Sequence, residues 1–238
     1  MPALGIVVAL PAEARSIVRR RLDFGSLHAL PEGHWLAISG AGPARAEAAA
    51  QALVERGVQG LISWGCAAAT VDELQPGHLL LAARVQGACG AQFESHPDWR
   101  AQLRARLPQQ LACHAGSIRE SVDVVSSRSD KQAVNRETGA YAIDMESAAV
   151  ARTADRHQHP FLAVRAIADP AHMDFPAAVT RALNPRGDVR MGRLLGHLAL
   201  HPQEIPGLIA LGRAFGAAMN TLHQVRRAAG ADFGFPAP

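Results

Sequence analysis

Of the chain's 24 Lys+Arg, one is a lysine, Lys131, and there is a single tyrosine. Charge of either sign is scarce in excess: 24 Lys+Arg stand against 21 Asp+Glu, a formal net charge of +3. So small a surplus excludes the dense basic surface that nucleic acid binding requires. The arginines gather at Arg15, Arg19, Arg20 and Arg21 and again at Arg226 and Arg227. They read as solvated helix faces, with weak attraction to an anionic membrane surface as the alternative. Cysteine is also scarce. Cys66, Cys89 and Cys113 are odd in number, widely spaced and form no CxxC, which excludes a disulfide scaffold and fits reduced thiols in a cytoplasmic protein. Cys66 has no base beside it in sequence and reads as a small buried thiol rather than a nucleophile. No apolar run approaches the ~18 residues of a membrane-spanning helix. The longest near the start, Ala3 to Leu10, lacks a basic flank and reads as a buried strand, not a signal peptide.

What is present is globular. Hydrophobic residues make up 48% and aromatics only 5%, so the core must be built of small aliphatics that let helices lie close on a sheet. Continuous apolar runs at Leu4–Leu10, Gly60–Trp64, Leu79–Val85 and Pro160–Ile167 predict strands covered on both faces. Shorter strands are expected at Trp35–Ser39, Ser117–Val125 and Tyr141–Ile143. Helices are expected over Ala12–Arg21, Pro43 to about Val54, Pro97–Leu107, Ser129–Glu137, Glu146–Arg156, Val189–Leu200 and Pro202 to about Val225. Pro185–Asp188 reads as a turn, and the tail from Gly230 as frayed. Strands alternating with helices predict one α/β domain over residues 1–238, a three-layer sandwich with a central mixed, mostly parallel sheet and a helical tail from about residue 189.

Two local patterns are weak. Gly40-Ala41-Gly42-Pro43 follows a strand as a dinucleotide-binding loop does, but the third glycine is missing and Pro43 removes a donor. A helix N-terminus that meets an anion or polar ligand, or a plain turn, accounts for it better. His157 and His159, with Asp155 nearby, splay rather than converge, so no metal is expected there.

A third pattern carries more. Glu13 follows the first strand, Asp144-Met145-Glu146 joins a strand to a helix, and Asp169 ends another strand. Ligands of α/β sheets collect at the carboxyl ends of strands, so three acids there can share one pocket. A carboxylate at a strand end more often caps a helix or pairs with an arginine, and Glu146, at a helix start, also suits the helix dipole.

The segments around these acids are Gly5-Ile6-Val7-Val8-Ala9-Leu10-Pro11-Ala12-Glu13, Ser39-Gly40-Ala41-Gly42, Ser63-Trp64-Gly65-Cys66-Ala67, Ala142-Ile143-Asp144-Met145-Glu146-Ser147-Ala148-Ala149 and Val164-Arg165-Ala166-Ile167-Ala168-Asp169. In content and order they resemble the nucleoside phosphorylase and nucleosidase superfamily, which holds the purine nucleoside phosphorylases and the methylthioadenosine/S-adenosylhomocysteine nucleosidases. Asp169-Pro170-Ala171-His172, Asn184-Pro185-Arg186-Gly187 and the later His201-Pro202 look like a subgroup associated with hopanoid biosynthesis, thought to remove adenine from adenosylhopane.

The resemblance implies cleavage of a purine–ribosyl bond. Asp169 matches the aspartate that protonates the leaving base, Glu146 the acceptor of the ribose 2′- and 3′-hydroxyls, and Glu13 the residue that activates the attacking water. Met145 would pack on the sugar. Cys66, Ala67, Asp123, Val125 and Arg165 complete the implied substrate contacts, with Arg165 alternatively pairing with one of the acids. Phosphorylases of the superfamily hold phosphate with arginines where this chain has Glu13 and Ser63, so water is favoured over phosphate; Arg15 and Arg45 stand near enough in sequence to supply a relocated anion site. Two departures stand out. Ala67-Ala68-Ala69 replaces a glycine pair, and Val124, Val125 and Ser126 occupy the place of an aromatic stacking residue. Met173, Phe175, Val179 and Leu183 are candidates for an apolar mouth suited to a lipid-linked substrate, or for ordinary packing of a lid. The helix from Pro206 to Met219 is a candidate for a core or subunit interface, or for peripheral membrane contact. No cofactor is implied, and a homodimer or larger homo-oligomer is. The alternatives are a soluble methylthioadenosine/S-adenosylhomocysteine nucleosidase, a purine nucleoside phosphorylase, and a non-catalytic nucleoside-binding protein of the same fold.

Overall fold

The computed structural model describes residues 2–182, 184 and 191–236. The turn expected at Pro185–Asp188, the helix start expected at Val189 and the mouth residue Leu183 lie outside the described residues. The strands are β1 (Leu4–Val8), β2 (Leu27–Ala29), β3 (Trp35–Ile38), β4 (Gly60–Ala69), β5 (Leu79–Leu81), β6 (Arg84–Gln86), β7 (Gln92–Glu94), β8 (Cys113–His114), β9 (Ser117–Glu120), β10 (Ala142–Asp144) and β11 (Phe161–Asp169). The helices are α1 (Pro11–Ala14), α2 (Pro43–Val54), α3 (Pro97–Arg106), α4 (Arg128–Thr138), α5 (Ser147–Arg156), α6 (Ala177–Ala182), α7 (Met191–Leu200) and α8 (Ile205–Ala229).

One sheet runs β2-β3-β1-β4-β10-β9-β6-β7, with β11 seated between β4 and β5 and β5 leading on to β8. Six of its ten pairings among the described residues are parallel, so the sheet is mixed and mostly parallel. β4 organises it. Leu61 to Ala68 pair with β11, Gly60 to Ser63 also pair with β1, and Ala68 and Ala69 turn aside to pair antiparallel with β10. Alternate side chains of the central strands enter two separate cores. Ile6, Ile62, Trp64, Leu162 and Val164 meet Trp99 and Leu103 of α3 and Leu222 and Val225 of α8. Val7, Leu61, Ala163 and Ile167 meet Ala46, Ala50 and Leu53 of α2 and Ala148 to Ala154 of α5. Helices on both faces of one sheet make the three layers. The alanine-rich contact surfaces of α2 and α5 are what let these helices sit close.

Five expectations need correction. The helix expected over Ala12–Arg21 is a single turn, Pro11–Ala14. Beyond it the chain continues in turns, with Ile17 N–H and Val18 N–H both donating to Ala14 O, and Ile17 and Val18 pack on the core, while Arg15 and Arg19 repel at i, i+4. The strand expected over Leu79–Val85 divides into β5, which pairs with β11, and β6, which pairs with β9. The strand expected from Ser117 ends at Glu120, so Asp123 and Val125 lie in a loop. The tail is not frayed. Phe233 is 1% exposed, its carbonyl accepts from Trp99 Nε1 at 2.9 Å, and Asp232 bridges to Arg106. Arg226 is not on a solvated face either: it stacks over the Phe233 ring at 4.3 Å.

Because Phe233 fills the core between Trp64, His34 and Arg226, Phe233→Ala should cost about 3–5 kcal/mol in urea-induced unfolding. A loss below 1 kcal/mol would return the tail to the frayed state that its composition suggests.

Candidate active site

The carboxyl ends of β1, β4, β10 and β11 surround a cleft of about 250 Å³. Glu13, Glu146 and Asp169 all line it, although they lie far apart in sequence. Met145, Cys66, Ala67, Asp123 and Val125 line it too. A larger recess of about 640 Å³ lies beside His159 and Asp155 at the amino end of β11, the end of the sheet away from these acids, where α/β folds rarely place chemistry.

Glu13 stands in the first turn after β1. Its Oε2 accepts from the backbone N–H of Ala9 at 3.0 Å and of Leu10 at 2.9 Å, and its Oε1 from that of Cys66 at 2.8 Å. A carboxylate has about four acceptor sites, so three fixed donors orient the group and leave room for one more. The close approach depends on Gly65, where a Cβ would lie 2.7 Å from the Glu13 carboxyl carbon. Burial pushes the Glu13 carboxyl above its ordinary pKa, against the pull of Arg165 and the three N–H donors.

Asp144 and Glu146 divide two jobs that the sequence left undivided. Asp144, two residues before the N-cap position of α5, braces the helix start: its Oδ1 accepts from the N–H of Ser147 at 3.1 Å and of Glu146 at 3.3 Å. Glu146 instead reaches across to the turn before α2, where Oε1 accepts from Gly42 N at 2.9 Å. Gly42 holds φ +107, a conformation open to glycine. The glycine turn thus meets a polar group at a helix start, and that group is the chain's own Glu146.

Arg165 does not line the cleft. It is buried beneath the floor, with Nε 2.6 Å from Asp144 Oδ2 and Nη2 2.7 Å from Ser63 Oγ. Its guanidinium charge acts on Asp144, Glu146 and Glu13 together. One cation under three acids leaves them under-compensated. Burial, then the Asp144 charge, pushes Glu146 up to about 8. Cys66 is a neutral thiol, raised well above its ordinary range by burial and by Glu13, as expected of a packing group rather than a nucleophile.

Asp169 ends β11 at an irregularity: Ile167 pairs with Ala67 but Asp169 with Ala68, so Ala168 is skipped. Such a bulge re-aims the side chain that follows it. Asp169 Oδ1 accepts from Lys131 Nζ at 2.6 Å. Burial still raises the Asp169 carboxyl above its ordinary value, with Lys131 opposing. The sequence reading missed Lys131, Asp144 and Ser63 as parts of the site. The one signal for Lys131 was its isolation among so many arginines. Phe175 lines the cleft as well. It is tied by its N–H to Ser126 O at 2.7 Å, beside the segment whose missing aromatic was noted.

Residues 4–186 match the model of the Phosphorylase superfamily. The chain belongs to that superfamily. A comparison with curated proteins finds no significant match. Among solved structures, the fold is shared with futalosine hydrolase of Helicobacter pylori (17% identity, 95% of each chain, TM-score 0.68). It is shared too with 5′-methylthioadenosine/S-adenosylhomocysteine nucleosidase from Neisseria meningitidis, solved with methylthio-immucillin-A (18% identity, 94% of this chain and 96% of that one, TM-score 0.70). An H. pylori nucleosidase variant solved with 5′-methylthioadenosine in its active site is similar in the same way (17% identity, 94% and 98%, TM-score 0.69). At these identities the likeness is one of fold.

The raised Glu146 pKa has a consequence for stability. The folded superfamily chain keeps a proton at Glu146 that the unfolded chain loses above about 4.5. This group's contribution is therefore intact below about 4.5 and is lost as pH rises toward about 8. Glu146→Gln imitates the protonated form and keeps an acceptor for Gly42 N. Its thermal midpoint should match the parent's at pH 4.5 and exceed it by about 3 °C or more at pH 8. Equal midpoints at pH 8 would contradict a buried, raised carboxyl.

Proposed function

We propose that this chain hydrolyses the N-glycosidic bond of a purine riboside and releases adenine, with adenosylhopane of hopanoid biosynthesis as the substrate. The observation that carries the reading is the meeting of Glu13, Glu146 and Asp169 in one cleft. The cleavage passes through an oxocarbenium-like state. Protonated Asp169 donates its proton to N7 of the base as the bond to the anomeric carbon breaks and its electron pair leaves with adenine. Glu146 accepts from the ribose 2′- and 3′-hydroxyls, whose donated hydrogen bonds favour its carboxylate form in the complex, and that charge offsets the developing positive charge. Glu13 takes a proton from the water that attacks the anomeric carbon. Met145 packs on the sugar, and Phe175 supplies the aromatic face for the base.

Water rather than phosphate is supported by the lining of the cleft. Glu13 would repel a dianion, no arginine lines the cleft among the described residues, and Ser63 is buried in the Arg165 network. Arg15 and Arg45 are exposed outside it. A lipid-linked substrate is supported by apolar continuity. Leu10, Val124, Val125 and Phe175 line the cleft, Phe175 packs on Val179 and Leu194, and Leu198, Leu208 and Leu211 pack on the same cluster. Leu195, Leu200, Ile205 and Ile209 are exposed on α7 and α8, an apolar surface for peripheral membrane contact; no helix among the described residues is long and apolar enough to cross a membrane. A homodimer or larger homo-oligomer belongs to the proposal, supported by Val122 and Val124, exposed beside the cleft. The second reading, methylthioadenosine/S-adenosylhomocysteine hydrolysis, is supported by the fold shared with those nucleosidases.

Adenine release should proceed at the same rate with and without phosphate. Asp169→Asn should lower it by about 10²–10⁴-fold while leaving the melting curve cooperative. A strict phosphate requirement would overturn hydrolysis. Turnover of methylthioadenosine with none of adenosylhopane would select the second reading, and full activity in the Asn variant would remove Asp169 as the acid.

A further inference from the structure

Lys131, the sole lysine of the chain, is buried at 0% exposure on α4. A buried ammonium must satisfy its three N–H donors, and all three are spent on one short segment. Nζ lies 2.6 Å from Asp169 Oδ1, 3.1 Å from Pro170 O and 2.8 Å from Met173 O. The same segment is tied twice more to the start of α4. Asp174 Oδ1 accepts from Arg128 N at 2.7 Å, and Phe175 N donates to Ser126 O at 2.7 Å. Asp169 Oδ2 makes no hydrogen bond among the described residues, and the residue lines the cleft.

We propose that Lys131 is a positioning residue for the acid: by holding Oδ1 of Asp169 and the carbonyls of Pro170 and Met173, it makes Oδ2 the oxygen presented to the leaving base. This rests on the reading of Asp169 as the proton donor. A compact ammonium suits the task where a planar guanidinium does not, since its three donors fan out to three acceptors around one point. Its charge has a second effect. Lys131 and His172 pull the Asp169 carboxyl down, while burial and Asp174 push it up, and the upward direction prevails. Donation needs the protonated carboxyl, so the rate falls on the alkaline side as Asp169 ionises. Lys131 sets how early that fall comes.

The test is the pH profile of adenine release by the parent, Lys131→Met and Lys131→Arg, together with a titration of the parent itself. Lys131→Met should lower kcat by about 10²-fold with KM changed little, the signature of a misplaced reacting group. Its alkaline limb should move to higher pH, because the opposing charge is gone. Lys131→Arg, which keeps the charge and loses the fit, should keep the parent's limb with a reduced kcat. A purely structural lysine would lower both variants' rates without moving the limb, and that result overturns the proposal. Should Lys131→Met not fold, the parent still decides. A chain labelled with ¹⁵N-lysine has one side-chain ammonium signal, and its shift should step at the same pH as the alkaline limb; a flat titration across that pH overturns the proposal. Asp169→Asn separates the two levels. If it stays active, the acid assignment fails. If it is inactive while Lys131→Met keeps the parent's limb, only the role of Lys131 fails.

Discussion

Charge compensation beneath the cleft is the constraint on which the rest depends. Glu13, Asp144 and Glu146 are each under a tenth exposed, and a single buried guanidinium, Arg165, serves all three. A buried charge left without a partner is among the costliest features a fold can carry. The arrangement is tolerable because every member is also hydrogen-bonded: Glu13 to three backbone N–H groups, Asp144 to Arg165, Ser147 and the start of α5, and Glu146 to Gly42. Burial raises Glu13, and burial followed by the Asp144 charge raises Glu146, with Arg165 opposing in both. On the proposed reading, a site that stabilises a cation in its transition state holds one cation against three acids, at a cost in stability.

The sheet supplies the geometry. β4 lies between β1 and β11 and then leaves toward β10, so the ends of all four strands open on one space. Alanine at 67, 68 and 69 keeps that floor low, and the strands on both sides hold it extended despite alanine's weak preference for strands. The irregularity before Asp169 turns its carboxyl toward the cleft. α4, which contributes few apolar contacts, contributes Lys131. The carboxyl at the end of β11 is therefore held from a different helix than Glu146, and the two ends of the cleft are supported independently.

Much of this was legible in the sequence. Strands such as Leu4–Val8 and Phe161–Asp169 are buried on both faces, so their apolar runs are continuous, and α2 begins at a proline after a glycine turn. The three acids could be placed at strand ends, and the family resemblance joined them. What could not be read depends on contacts between distant residues. Lys131 and Asp169 are 38 positions apart, and a lysine in a polar helix looks like solvent-facing surface. Arg165 sits among apolar neighbours, and nothing local says whether it faces the ligand or the floor. Phe233 lies between Gly230 and Gly234 after α8, where Trp64, Trp99, His34 and Arg226, far along the chain or folded back upon it, make it core. The division of Leu79–Val85 into β5 and β6 is likewise decided by which partners the two halves find.

The account stands on one spatial claim, that a purine riboside lies between Asp169 and Glu146. A crystal structure of this chain with a non-hydrolysable adenine riboside analogue tests it most directly. The account predicts N7 of the base within hydrogen-bond distance of Asp169 Oδ2 and the ribose diol on Glu146. An analogue bound elsewhere, or bound in this cleft with its ribose turned away from Glu146, would contradict it.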